Sequence, residues 1–251
     1  MPLKPTYDSE IAFQSDRRKA AVELIKIISD LWYDSAIELV LFRNQLMDRN
    51  VSEILKLHEY AGDFVNKPIS IFDSVEMAQA IKSLNLPTSK LDIGKLTFEF
   101  HKEDLSNHSS SAFLSKTLKA AQQQPKLEPK DVVLYGFGRI GRLVARELMG
   151  KSGSGNQLRL RAIVTRDKIS PTVLEKRAAL LRSDSVHGDF QGTVKVDTNL
   201  HALIINGMTV YIISALQPED IDYTSYKITD ALIIDNTGAF RDQKALQRHL
   251  I

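Results

Sequence analysis

Gly136, Gly138 and Gly141 stand between an apolar run, Val132-Val133-Leu134-Tyr135, and the helical pattern Ile140, Leu143, Val144, Leu148. The order is strand, turn, helix, and the glycines are spaced for holding a phosphate group. Gly136 permits the tight turn, Gly138 lets backbone approach a pyrophosphate where a Cβ would intrude, and Gly141 lets the helix pack closely on the strand. N–H groups left free at the helix start then face the anion. The bare glycine pattern is equally compatible with an ordinary turn, so its surroundings decide.

Those surroundings include a second strand, Leu158 to Thr165, after the loop Lys151-Ser152-Gly153-Ser154-Gly155-Asn156-Gln157. It ends at Arg166-Asp167. A carboxylate there accepts hydrogen bonds from both ribose hydroxyls of NAD and repels the 2′-phosphate of NADP. Asp167 is also readable as a solvated loop acid. Arg166 and Lys168 can each swing toward a 2′-phosphate and offset that repulsion, so NAD is the expected cofactor and NADP stays open. The spacing from Gly136 to Asp167 exceeds the usual figure of about 20 residues. The Gly/Ser-rich loop takes up the excess.

Further segments follow in a fixed order: Asp184-Ser185-Val186-His187-Gly188, then Gln191-Gly192-Thr193-Val194, Ile205-Asn206-Gly207 and Asn236-Thr237-Gly238-Ala239-Phe240. Together with Gly136-Phe137-Gly138-Arg139-Ile140-Gly141-Arg142, this series resembles glyceraldehyde-3-phosphate dehydrogenase, from Asp131 to Ile251. The resemblance implies that Arg139 and Ile140 present backbone N–H groups to the pyrophosphate and that Asp167 meets the adenine ribose. It places Gly136, Phe137, Gly138, Gly141, Arg166, Asn236, Thr237 and Gly238 along the cofactor cleft. Tyr135, Arg166 and Asn236 replace the family's Asn, Asn and Ser, and Leu216 stands where an Arg near the adenine is usual. These departures bear on cofactor preference more than on binding.

The family reaction is attack of a cysteine thiolate on an aldehyde, hydride transfer to nicotinamide and release of the acyl group to phosphate. The sequence has no cysteine. His58, His101, His108, His187, His201 and His249 have neither a cysteine partner nor metal-like pairing, so no catalytic or metal residue is assigned. His187 reads best as part of a hydrogen-bonded loop. Arg241 to Ile251 reads as a helix still in progress. The 251 residues are therefore expected to be the front part of a longer enzyme, inactive alone.

Before this unit lie about 120 residues of different character, joined to it by the Gln/Pro run Gln122 to Pro129. A first helix is expected near Ser15, burying Ala21, Leu24, Ile25, Ile28, Leu31 and Trp32 on one face. Further helices are expected over Ile37 to Met47 and Ser52 to Tyr60, from Asp73 with Asp73-Ser74-Val75-Glu76 as a capping box, and over Ser111 to Ala121. Leu91 to Phe100 mixes two periods and is left as strand or helix. The expected organisation is a mainly α-helical domain over 1–121, a linker over 122–130 and an α/β Rossmann-type dinucleotide-binding domain, an open mainly parallel sheet, over 131–251. The sheet carries an Asn206-Gly207 hairpin toward its edge. The helical domain is similar to extensions found on longer bacterial members of the family.

Composition fits a globular protein, with 43% hydrophobic and 25% charged residues. A net charge of +2 gives no reason to expect nucleic acid as partner, and no apolar run approaches the 18 to 20 residues needed to span a bilayer. Met1-Pro2-Leu3-Lys4-Pro5 lacks a signal-peptide core, which makes the cytoplasm the default address. By resemblance the partners are a nicotinamide dinucleotide, a small phosphorylated aldehyde with phosphate in the complete enzyme, and copies of the same chain in a tetramer. Glycolysis or gluconeogenesis is the implied setting. Two alternatives stay open: a related aldehyde such as erythrose 4-phosphate, and a non-catalytic NAD-binding regulatory or interaction protein.

Overall fold

The computed structural model describes residues 6–63, 66–103, 109–125, 128–153, 155, 157 and 158–250. Expectations that touch Met1 to Pro5, His108, Lys126, Leu127, Ser154, Asn156 or Ile251 lie outside these residues. The chain forms two compact units, Met1–Leu127 and Glu128–Ile251.

The first unit runs α1 (Tyr7–Ser35), β1 (Ile37–Leu41), β2 (Asn44–Gln45), α2 (Val51–Asp63), α3 (Ile71–Ser83), β3 (Ser89–Asp92), α4 (Ile93–Lys102), α5 (Ser110–Thr117) and α6 (Lys119–Gln122). Helix α1 begins a full eight residues ahead of the expected Ser15, capped by the Thr6 side chain, which accepts from the Ser9 N–H. Its buried stripe is Ala20, Ala21, Leu24, Ile27, Ile28, Leu31 and Trp32, with Ile25 at the margin. Helix α3 starts at Ile71 because Ser70 and Asp73 form the reciprocal capping box, so Asp73 closes the box instead of opening the helix.

The expected helix over Ile37 to Met47 is instead a hairpin. β1 pairs antiparallel with β2 and parallel with β3 in a three-stranded sheet. Phe42 and Arg43 make the turn at φ 46° and 70°, and the Asp92 carboxylate accepts from both their N–H groups at 2.8 and 3.0 Å. Asp92 also caps α4 by accepting from the Lys95 N–H. Leu91 to Phe100 therefore resolves into the end of a strand followed by a helix.

The second unit runs β4 (Lys130–Tyr135), α7 (Arg139–Gly150), β5 (Leu158–Thr165), α8 (Pro171–Arg182), β6 (Ser183–Asp184), β7 (Gly188–Asp189), β8 (Val194–Asp197), β9 (Ala202–Ile205), β10 (Met208–Ser214), β11 (Leu232–Asp235) and α9 (Gln243–Leu246). The main sheet has the order β11-β4-β5-β10-β9-β8. β11, β4, β5 and β10 are parallel; β9 and β8 add on antiparallel through the Asn206-Gly207 turn, both residues at positive φ. Val132 and Leu134 join one core layer and Val133 and Tyr135 the other, which is why β4 is apolar at consecutive positions. The segment Arg241 to Leu250 makes only the single turn of α9 and a short 3₁₀ turn, Gln247–His249.

Candidate functional site

The chain leaves β4, crosses to β5 and β10 on one side, then returns to β11 on the other. The order of the sheet thus reverses beside β4, at the carboxyl ends of the strands, where open parallel sheets bind ligands. Backbone bonds gather the strand ends: the Gly136 N–H donates to the Val164 carbonyl at 2.9 Å, Asn236 N–H to Tyr135 at 2.7 Å and Ala215 N–H to Thr165 at 3.0 Å.

The glycines divide the work between packing and ligand. Gly136 has φ 102°, and a Cβ there would lie 2.9 Å from Thr237 Cγ2. A Cβ on Gly141 would lie 2.4 Å from the Gly136 carbonyl oxygen. A Cβ on Gly138 would meet nothing within 4 Å, so packing does not require glycine there, and the space is open to a ligand. Gly138 is also the N-cap of α7, with no side-chain cap, and the first helical bond runs from the Arg142 N–H to the Gly138 carbonyl at 3.0 Å. The N–H groups ahead of it at the helix start have no helical carbonyl to reach. A pyrophosphate would supply acceptors for them, and the helix dipole would favour its charge. The site fits a dinucleotide.

A cleft of about 290 Å³ opens on this turn, lined by Gly136, Phe137, Gly138, Arg166, Asp167 and Thr237 from the expected set. Tyr135, Val164, Thr165, Arg177 and Ala215 complete it. Arg139 and Ile140 are exposed on the first turn of α7 and lie outside the lining, as do Asn236 and Gly238. Gly141 is buried under the turn as a packing residue. Phe137 lines the cleft and is also a buried member of the core. Leu216, next to the lining residue Ala215, is 63% exposed.

Asp167 is held by Thr165, whose Oγ1 accepts its N–H at 2.9 Å, and by the Arg177 guanidinium, whose Nη2 donates to Oδ2. Arg177 also donates from Nη1 to the Phe137 carbonyl at 3.3 Å, and its Nε is buried without a hydrogen-bond partner among the described residues. Sequence reasoning passed over Arg177. The available signal was a cation inside the apolar stripe Leu174, Ala178, Leu181 of α8.

The floor behind the cleft is aromatic. Tyr135 packs edge-on against Phe240 and His249, and the His249 Nε2 lies 3.2 Å from Asp235 Oδ2 in a pair that is 6% exposed on each side. Asp235 Oδ1 accepts from the N–H and hydroxyl of Thr237 at 2.8 and 2.7 Å, fixing the turn at the cleft edge. Burial pushes the Tyr135 phenol above its ordinary value, so the ring faces Arg166 as a neutral group.

His187 belongs to a closed loop. Asp184 accepts from the N–H groups of Val186 and His187 and pairs with His187 Nδ1, each at 3.0 Å. Arg146 of α7 ties the same loop down through the carbonyls of Leu181 and Gly188. Among the described residues no group of three acidic or histidine side chains is placed to hold a metal.

Residues 130–243 match the family model "Glyceraldehyde 3-phosphate dehydrogenase, NAD binding domain". A glyceraldehyde-3-phosphate dehydrogenase-like protein of Pseudomonas aeruginosa is 38% identical over 231 residues, 90% of this chain and 50% of the relative. Glyceraldehyde-3-phosphate dehydrogenase 2 of Mucor circinelloides is 32% identical over 119 residues, 47% of this chain and 32% of the relative. The enzyme of that name from Zymomonas mobilis is 30% identical over 119 residues. The chain spans about half the length of the Pseudomonas relative and about a third of the other two. An alignment reaching 90% of the chain takes in much of the first unit as well, whereas alignments of 47% have only the length of the second. With the glycine turn and the reversed sheet order, these matches make the second unit similar to the NAD-binding domain of glyceraldehyde 3-phosphate dehydrogenase, and the cofactor that the match supports is NAD.

Proposed function

We propose that this chain is the cofactor-holding portion of an NAD-dependent aldehyde oxidoreductase that works on a small phosphorylated aldehyde, glyceraldehyde 3-phosphate by the names of its relatives. The single observation that carries the reading is the contrast at the glycine turn: Gly136 and Gly141 are demanded by packing, and Gly138 faces open space at an uncapped helix start. The backbone of Gly138, Arg139 and Ile140 holds the pyrophosphate, Gly141 lets α7 pack beneath it, and Asp167 takes the adenine ribose. Gly136, Phe137 and Thr237 shape the cleft, Asn236 and Gly238 the edge beside it, and Arg166 lies at the ribose end. NAD, when bound, supplies the hydride acceptor; the thiolate that attacks the aldehyde is not among these residues, since the sequence contains no cysteine.

Residues 1–121 act as a separate domain, 122–130 as its connection and 131–251 as the dinucleotide unit. The end of α6 at Gln122 and the start of β4 at Lys130 support this division. A homo-oligomer, a place in glycolysis or gluconeogenesis and a cytoplasmic address go with the same reading.

The test is calorimetric titration of the chain with NAD, beside its Gly138→Val variant. Saturable binding that the variant loses, with unchanged circular dichroism, is the expected result. Equal affinity in both proteins removes the site.

A further inference from the structure

The cofactor cleft holds a charge arrangement that the ribose acid alone does not account for. Its lining contains two guanidinium groups, Arg166 and Arg177, and one carboxylate, Asp167. The carboxylate rejects a 2′-phosphate only while its charge stands uncompensated. Here Arg177 reaches across from the second turn of α8 and bonds Asp167 Oδ2. Oδ1 remains without a hydrogen bond among the described residues, so the carboxylate still has acceptor sites for a ribose while one oxygen is engaged by a cation. The ion pair thus offsets the repulsion that Asp167 exerts on a 2′-phosphate and leaves its acceptors for an unphosphorylated ribose.

Arg177 is itself incompletely satisfied. Its side chain is 18% exposed, its Nη1 makes a 3.3 Å bond to the Phe137 carbonyl, and its buried Nε has no partner among the described residues. A guanidinium presents five donors in a fixed fork suited to phosphate. Arg166 is exposed at the same end of the cleft.

Resting on the reading of this cleft as a dinucleotide site, we propose that Arg177 is a specificity-determining residue. By pairing with Asp167 it cancels the charge that rejects a 2′-phosphate and offers its own donors to that phosphate, so the cleft accepts NADP alongside NAD. A purely structural role, fastening the loop after β5 to α8, accounts for the ion pair but not for a second guanidinium, Arg166, lining the same cleft.

The test uses the whole chain and reads binding, not turnover. NAD and NADP are titrated separately by calorimetry into the parent, Arg177→Met and Arg177→Lys, with thermal melting as the folding control. In the parent, the NADP dissociation constant should lie within about tenfold of that for NAD. Arg177→Met uncovers Asp167 and removes the donors, so the ratio of the NADP constant to the NAD constant should rise about tenfold or more, the effect of one charge-assisted bond. Arg177→Lys keeps the charge without the fork and should recover part of the NADP affinity. A parent that binds NAD but discriminates against NADP by more than about a hundredfold overturns the proposal, as does an equal change for both nucleotides in Arg177→Met; the site reading stands in either case. A parent that binds neither nucleotide overturns the site reading and this proposal with it.

Discussion

A Cβ on Gly141 would lie 2.4 Å from the carbonyl oxygen of Gly136, so the first turn of α7 rests directly on the backbone of the glycine loop. Two effects compete when Gly141 becomes alanine. Helix propensity favours alanine by about 1 kcal/mol. The contact is with backbone, which has no rotamer to yield, and overpacking costs about 1–3 kcal/mol. Gly141→Ala should therefore lower stability by up to about 2 kcal/mol, read as a fall in the denaturant midpoint. Gly138→Ala, with open space at its Cβ and an ordinary φ of −73°, should stay within about 1 kcal/mol of the parent and still lose NAD. If both variants keep NAD affinity, the division between a packing glycine and a ligand glycine is wrong.

What the sequence exposed and what it hid follows from the range of the interactions. β4, the glycine loop and α7 are consecutive, so strand, turn and helix announce one another within about twenty residues, and the span Leu158 to Thr165 is the strand that its apolar run indicates. Ile37 to Met47 is apolar enough for either period, and its turn residues, Phe42 and Arg43, carry no hairpin signature. What closes that turn is the Asp92 carboxylate, 49 and 50 positions away. Arg177 was hidden for a related reason: it acts on Asp167 from a different element, ten residues on. The start of α3 was misplaced by three residues because Ser70 to Asp73 and Asp73 to Glu76 both have a capping pattern, and only the geometry separates them.

The Ser70 box itself is open to test. Ser70 Oγ accepts from the Asp73 N–H at 3.1 Å while Asp73 Oδ2 accepts from the Ser70 N–H at 2.8 Å. Removing an N-cap hydroxyl costs about 1 kcal/mol. Ser70→Ala should lower the denaturant midpoint of the first unit accordingly, whereas Glu76→Ala, which would close a box begun at Asp73, should leave it within about 0.5 kcal/mol. A larger loss for Glu76→Ala than for Ser70→Ala would contradict the observed cap.

His58 makes the first unit sensitive to mild acid. Its Nδ1 donates to the Ile54 carbonyl at 2.8 Å and its Nε2 accepts from the Ser74 hydroxyl at 2.9 Å, both buried. Burial holds the ring below its ordinary value of 6.5, partly opposed by the bond to Ile54. The folded chain keeps the ring neutral while the unfolded chain takes up a proton below about pH 6.5. Stability from His58 is thus complete above that pH and declines as pH falls below it, by at most about 1.4 kcal/mol per unit. Urea unfolding followed between pH 7.5 and 5 should show this slope, and His58→Gln should flatten it. An unchanged slope in the variant would assign the acid sensitivity elsewhere.

Asp184 works at a lower pH and in the opposite charge state. The Val186 N–H leads, followed by the side chain and N–H of His187, in holding its carboxyl well below the usual carboxylate range. The sign is that of a depressed acid: the stabilisation is complete above the ordinary value of 3.8 and is lost as pH falls from there toward the folded-state value. Asp184→Asn keeps an acceptor for the two N–H groups but no charge, neither for His187 nor for Arg142, whose Nη2 lies 3.8 Å from Oδ2. The variant should be less stable than the parent at pH 7, and the difference should shrink steadily below pH 4, as the unfolded parent takes up a proton at Asp184 that the folded carboxylate resists. Thermal melts of both proteins from pH 7 to 2.5 measure this. A gap that stays constant down to pH 2.5 would mean that shape alone, and not the ionised carboxylate, closes the loop that α7 grips through Arg146.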